Sequence, residues 1–212
     1  DQVNDLVFLY GLIFGAMIGG RIGYMFFYGT DQLLNDPLSL FYIWQGGLSF
    51  HGGLAGVIVS TIVFSKKFKV DFFRLTDAIT LAMPIGLGLV RIGNFLNGEL
   101  YGRATSGEWG FIFPTDPFGL PRHPSQLYES FLEGIVLFGV LAIINAKTSI
   151  RGIVSASFLI LYGSTRFFIE FFRQPDAHIG FVALEWLSMG QLLCLPMIFA
   201  GFVLLTYFLR KA

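Results

Sequence analysis

The residues most able to do chemistry lie in one stretch, Arg91-Ile-Gly-Asn94-Phe-Leu-Asn97-Gly-Glu99-Leu-Tyr-Gly102, at the end of an apolar run that starts near Ala78. An arginine inside an apolar span costs roughly 2.5–3.5 kcal/mol on insertion scales, so it needs a partner, a cavity or a ligand. On a helix, Arg91, Asn94 and Gly98 share a face, which sets a cation and amide donors beside bare backbone. Such a face suits an anionic oxygen; backbone carbonyls or an acid on a neighbouring helix would also satisfy the arginine. A second set, Tyr162, Arg166, Glu170 and Arg173, is spaced by four, four and three and falls on one helix face. Arg166 and Glu170 could pair with each other, yet Arg173 leaves this face net positive. Guanidinium forks bind phosphate oxygens bidentately. With Arg21 near the end of an earlier apolar run, these arginines point to a phospholipid headgroup. His51, beside phosphate-binding arginines, is a candidate general base. His123 and His178 read as structural or surface residues.

The elements that must position these groups follow from composition. Of 212 residues, 54% are hydrophobic and 13% charged, against about 25% charged in soluble domains; mean hydropathy is +0.68. The chain is therefore expected to be an all-α polytopic membrane helix bundle, a single domain over 1–212. Six apolar runs, 6–28, 48–65, 77–96, 127–145, 152–172 and 186–209, are long enough to cross a hydrocarbon core of about 30 Å. They are continuous rather than alternating, which argues against strands. Lys66, Lys67, Lys69, Arg74, Lys147, Arg151, Arg210 and Lys211 fall on one side if the runs alternate, which puts that side and both ends in the cytoplasm. The other six basic residues are all arginine: Arg21, Arg91, Arg103, Arg122, Arg166 and Arg173. In this topology Arg21, Arg91, Arg166, His51 and Glu129 are expected at similar depth, toward the outer face. The outer loop over 97–126 is expected to cap a site. Glycines 11, 15, 19 and 23 form a four-residue seam for close helix packing. Net charge is zero, which gives no electrostatic case for nucleic acid. No His/Cys/acid spacing resembles a metal site, and Cys194, the only cysteine, lies in an apolar run and is expected to be inert. The opening Asp1-Gln-Val-Asn-Asp5 reads like an inter-helix loop, so further sequence is expected before it.

Four motifs together resemble bacterial prolipoprotein diacylglyceryl transferases: His51-Gly-Gly-Leu-Ala-Gly, the Arg91–Gly102 stretch, Arg122-His-Pro-Ser-Gln-Leu-Tyr-Glu129, and Gly163-Ser-Thr-Arg-Phe-Phe-Ile-Glu-Phe-Phe-Arg-Gln-Pro-Asp176. The resemblance covers nearly the whole chain. It implies transfer of the diacylglyceryl group of phosphatidylglycerol to the lipobox cysteine of a prolipoprotein signal peptide, forming a thioether and releasing glycerol phosphate. It further implies seven spans, one more than found here, and a site at the outer face of the bacterial inner membrane among membrane lipids. No cofactor is implied. By motif position, the family's important residues fall on His51, Arg91, Asn94, Glu99, Gly102, Tyr162, Arg166, Glu170 and Arg173; Arg21 and Asn97 join them as candidate substrate contacts from the reading of the residues. The family's first span, with a tyrosine near the site, has no counterpart, and the loop after Arg103 is shorter than in that family.

The chemistry needs a thiolate, because a free thiol is mostly protonated at neutral pH. It also needs the glyceryl carbon in line with the sulfur and a stabilised departing phosphate. Fixed arginines in a partly dry site meet the last need. A transporter or flippase of an anionic phospholipid would also place arginines in the membrane, but it is expected to show internal repeats and broken helices near the midplane, and no repeat is visible.

Overall fold

The computed structural model describes residues 2–174, 181–183 and 187–211, with the side chains of 2, 3, 50 and 181–183 outside the description. His178 therefore lies outside the described residues. The chain divides into two compact units, residues 1–75 and 76–212.

The first unit is built on α1 (Gln2–Phe27) and α3 (Phe50–Phe68), joined by a short helix α2 (Thr30–Asn35) and two 3-10 turns, Pro37–Phe41 and Ile43–Gln45. Gly15, Gly19 and Gly23 of α1 face Gly52, Gly56 and Ser60 of α3, and a Cβ on Gly23 would come 2.9 Å from the Gly52 Cα. Such close backbone approach gains dispersion where lipid offers no hydrophobic drive between helices. Gly11 meets nothing within 4 Å. Ser49 caps α3, its hydroxyl accepting from the Gly52 amide at 3.3 Å.

α4 (Phe72–Leu96) begins at the unit boundary. The rest of the second unit is α5 (Ser125–Glu129), a π-helical stretch Ser130–Val136, α6 (Leu137–Lys147), α7 (Ile153–Ile169) and α8 (Met189–Lys211). Its core is Leu137, Leu141, Val154 and Phe158, with Tyr162 packed against it. At one end of α7, Asp77 of α4 accepts from the amides of Gly152 at 2.6 Å and Ser155 at 2.8 Å, and from the Ser155 hydroxyl at 2.7 Å. A carboxylate there satisfies orphan helix N–H groups and complements the helix dipole. α8 opens with a capping box: the Ser188 hydroxyl accepts from the Gln191 backbone amide at 3.2 Å, and the Gln191 side-chain Oε1 accepts from the Ser188 backbone amide at 3.0 Å. Among the described residues the unit also holds two antiparallel pairs: β1 (Phe111–Ile112) with β2 (Pro121–Arg122), and β3 (Phe181–Ala183) with β4 (Leu187–Ser188).

All six apolar runs coincide with helical segments, and strands are confined to these short pairs among the described residues. Among the described residues four segments, Asn4–Phe27, Phe72–Leu96, Ser125–Lys147 and Met189–Lys211, are long and apolar enough to cross a membrane; α7 is apolar and shorter. Large apolar side chains such as Leu89, Phe131 and Phe199 point outward, as a lipid-facing surface requires. The chain is an all-α polytopic membrane protein.

Candidate active site

The second unit gathers three arginines and three glutamates from helices distant in sequence. Its geometry starts with a close crossing. A Cβ on Gly134 would come 2.9 Å from the Gly88 Cα, and the buried Ser130 hydroxyl donates to the Gly88 carbonyl at 3.1 Å. This contact lays the end of α4 along the π-helical stretch. Arg91, less than a turn beyond Gly88, then reaches Glu129: Nε lies 2.5 Å from Oε2. Arg166 of α7 reaches the same oxygen at 3.0 Å, Glu133 at 3.6 Å and Glu170 at 3.2 Å. Arg173 stands 3.5 Å from Glu129 and 4.0 Å from Glu170.

Glu129 is thus the hub, with its side chain 1% exposed. Glu133 is fully buried. Several of these contacts are ion pairs without hydrogen-bond alignment: Arg91 Nε, Arg166 Nη1, Glu129 Oε2 and both Glu133 oxygens have no hydrogen-bond partner among the described residues. Buried charged donors left unsaturated are costly, and a ligand oxygen in line with them relieves that cost. Glu170 is seated against bare backbone at the start of α8, where a Cβ on Gly190 would come 2.9 Å from its carboxylate.

The segment over 97–124 straps down the end of α7. Gly98 adopts φ +67°, which turns the chain out of α4. Gly102 bridges to Arg173, and a Cβ there would come 2.5 Å from the Phe172 carbonyl oxygen, so only glycine fits. The Arg103 amide donates to the Phe172 carbonyl at 2.9 Å, and its guanidinium donates to the Arg173 carbonyl at 2.9 Å and the Glu170 carbonyl at 3.4 Å. The strap is stiffened by buried Asp116, which takes Arg122 in a fork at 2.7 and 3.0 Å and accepts from the amides of Phe118 and Leu120. The Arg122 hydrogen bonds hold the Asp116 carboxyl down at about 2, below the usual range.

The predicted site residues divide accordingly. Arg91, Arg166, Glu170 and Arg173 come together. Asn94 touches Arg91 at 3.4 Å. Tyr162 stacks on Phe158, ring centroids 5.4 Å apart. Asn97 and Glu99 are exposed on the turn after α4, and the Glu99 carbonyl accepts from Gln126 at 2.6 Å. Arg21 and His51 belong to the first unit. Arg21 is buried and donates to the carbonyls of Ser39 at 2.6 Å, Gly46 at 2.5 Å, and Leu40 and Gly47 at 3.3 Å. Its donors are therefore committed to the carbonyls of the loop after α2. His51 is exposed in the first turn of α3. Glu129 and Glu133 were not among the predicted site residues. Two glutamates at i and i+4 in the apolar run over 127–145 were the available signal.

An apolar groove of about 400 Å³, lined among others by Leu127, Tyr128, Phe131, Phe168 and Phe172, flanks α5, which carries Glu129, and the end of α7 that leads to Arg173. Fold and site together define a polytopic membrane protein with a buried arginine–glutamate cluster suited to a lipid phosphate. A family profile described as prolipoprotein diacylglyceryl transferase matches residues 1–207, and the chain belongs to that family. Among its relatives is the phosphatidylglycerol–prolipoprotein diacylglyceryl transferase of Oleidesulfovibrio alaskensis, 52% identical over 212 residues, all of this chain and 78% of the relative. That of Teredinibacter turnerae is 51% identical over 208 residues, 98% of this chain and 72% of the relative. That of Coxiella burnetii is 53% identical over 201 residues, 95% and 76% respectively.

Proposed function

We propose that this protein transfers the diacylglyceryl group of phosphatidylglycerol to the lipobox cysteine thiol of a prolipoprotein. The sulfur attacks the glyceryl carbon that carries the phosphate. An S–C bond forms, the C–O bond breaks, and the electron pair leaves on glycerol phosphate. The observation that carries this reading is the set of buried arginine donors, Arg91 Nε and Arg166 Nη1, left without hydrogen bonds beside Glu129. A phosphodiester oxygen in line with them would gain charge-assisted bonds that strengthen as the leaving group gains charge.

Arg91 and Arg166 hold the phosphate in this scheme, and Arg173 with Glu170 completes the wall. Asn94 orients Arg91, and Tyr162 closes the core side. Gly102 holds the strap against α7, and Asn97 and Glu99 present polar groups on the exposed turn. His51 takes the thiol proton, which leaves the sulfur as thiolate; the imidazole is the side chain suited to this near neutral pH. The acyl chains of the lipid are accommodated by apolar surface such as the groove beside Tyr128 and Phe172. The protein works in the bacterial inner membrane with the cluster toward the periplasm, a reading supported by the one-sided distribution of its eight loop and terminal Lys and Arg residues. A phospholipid transporter would account for the arginines but not for the relatives, which are named as transferases.

The test is direct. Purified protein is incubated with phosphatidylglycerol and a lipobox peptide, and thioether product and glycerol phosphate are measured. Lipid movement across a vesicle without either product would refute the transferase reading.

A further inference from the structure

Glu133 is a fully buried carboxyl group in the site, and neither of its oxygens accepts a hydrogen bond among the described residues. The Arg166 guanidinium lies 3.6 Å from it. It rides on a π-helical stretch, a local form that is often found at functional sites. A carboxylate in this position adds no directed bond that holds the fold. What it adds is charge, and it adds it to an arginine already paired with Glu129 and Glu170.

From this we infer that Glu133 is a positioning residue that acts through Arg166 by weakening its hold on the phosphate. The inference rests on the phosphate-binding reading of the cluster. Arg91, Arg166 and Arg173 are matched one for one by Glu129, Glu133 and Glu170; Arg103 lies on the carbonyls of Glu170 and Arg173. The match lowers the cost of burying cations. It also means that an anionic headgroup meets a cluster with its positive charge offset. Turnover requires release of an anionic product, so a cluster that held phosphate too tightly would trap glycerol phosphate. Removing one carboxylate should tighten binding of the anion and slow its departure, which is the reverse of what loss of a structural contact does.

The experiment measures binding of glycerol phosphate to detergent-solubilised protein by calorimetry, with glycerol as the uncharged control, and then steady-state transfer. Glu133→Gln should bind glycerol phosphate more tightly by on the order of a hundredfold, the effect of one unit charge about 6 Å away acting through an effective dielectric near 20. Glycerol binding should not change. KM for phosphatidylglycerol and kcat should both fall, and Glu133→Asp should restore values near the parent's. Glu133→Leu, apolar and of similar size, repeats the charge removal if the glutamine variant does not fold. Unchanged or weaker binding in the neutral variants would overturn the inference, and so would failure of both to fold, because the carboxylate would then serve the fold. If the parent binds glycerol phosphate but makes no thioether, the transferase reading fails and the charge inference is still decided by the binding arm.

Discussion

At the scale of single residues, one carboxylate does most of the organising. Glu129 lies within 3.5 Å of Arg91, Arg166 and Arg173. It thereby fixes guanidinium groups from α4, from α7 and from the turn just after α7 before any lipid arrives, and preorganised charge needs no reorganisation at the moment of reaction. Arg91→Ala and Arg166→Ala are therefore expected to lower transfer strongly while the protein still inserts and binds detergent normally. Lysine should rescue poorly at both positions, because a point charge cannot reproduce the fork. A lost charge-assisted bond of about 1.5–3 kcal/mol corresponds to roughly 10–100-fold in rate. Near-parent kcat/KM in both lysine variants would remove bidentate phosphate recognition from the account. His51→Gln keeps a hydrogen bond but no base. Transfer should fall by about 10²–10⁴-fold and recover as pH rises toward the thiol pKa, with lipid binding unchanged. A pH-independent defect would assign His51 to binding or structure.

At the scale of elements, two latches hold α7 at its ends. Asp77 bonds the first turn, and replacing such a cap by alanine costs about 1–2 kcal/mol. Asp77→Ala should lower the melting temperature, and Asp77→Asn should lose less, since its amide oxygen still accepts. At the other end the strap depends on the Asp116–Arg122 fork. The folded carboxyl is depressed to about 2, below the ordinary value of about 3.9. Its contribution to stability is therefore present above about pH 4 and is lost as pH falls through about 2. Thermal unfolding in detergent should show that loss for the parent, whereas Asp116→Asn should start less stable at neutral pH and show a flatter decline across that window.

At the scale of the whole molecule, the charge asymmetry along the chain predicts how it sits in the membrane. Lys66 and Lys67 lie in the last turn of α3, Lys69 caps it, Arg74 lies in the first turn of α4, and Arg210 and Lys211 end α8. With Cys194 replaced, a single cysteine at Lys67 should react only with reagents that reach the cytoplasm, and one in the strap at Trp109 only with reagents outside. Labelling of the Lys67 cysteine from outside alone would reverse the topology and move the arginine cluster to the inner face.

The sequence by itself determined the class, the helical segments and most of the ionisable residues of the cluster. Those properties follow from composition, run length and helical spacing, all of which are local. Arg166, Glu170 and Arg173 could be placed on one face because a helix repeats every few residues. The tertiary structure alone decided which charges meet. Glu129 and Glu133 became the partners of Arg91 and Arg166 only through the Gly88–Gly134 crossing, and no spacing along the chain encodes which helices lie side by side. Arg21 is the converse case. Its type and expected depth matched those of the other arginines, yet its donors went to the carbonyls of the loop after α2, because a folded chain satisfies a buried cation with whichever acceptors its loops bring within reach.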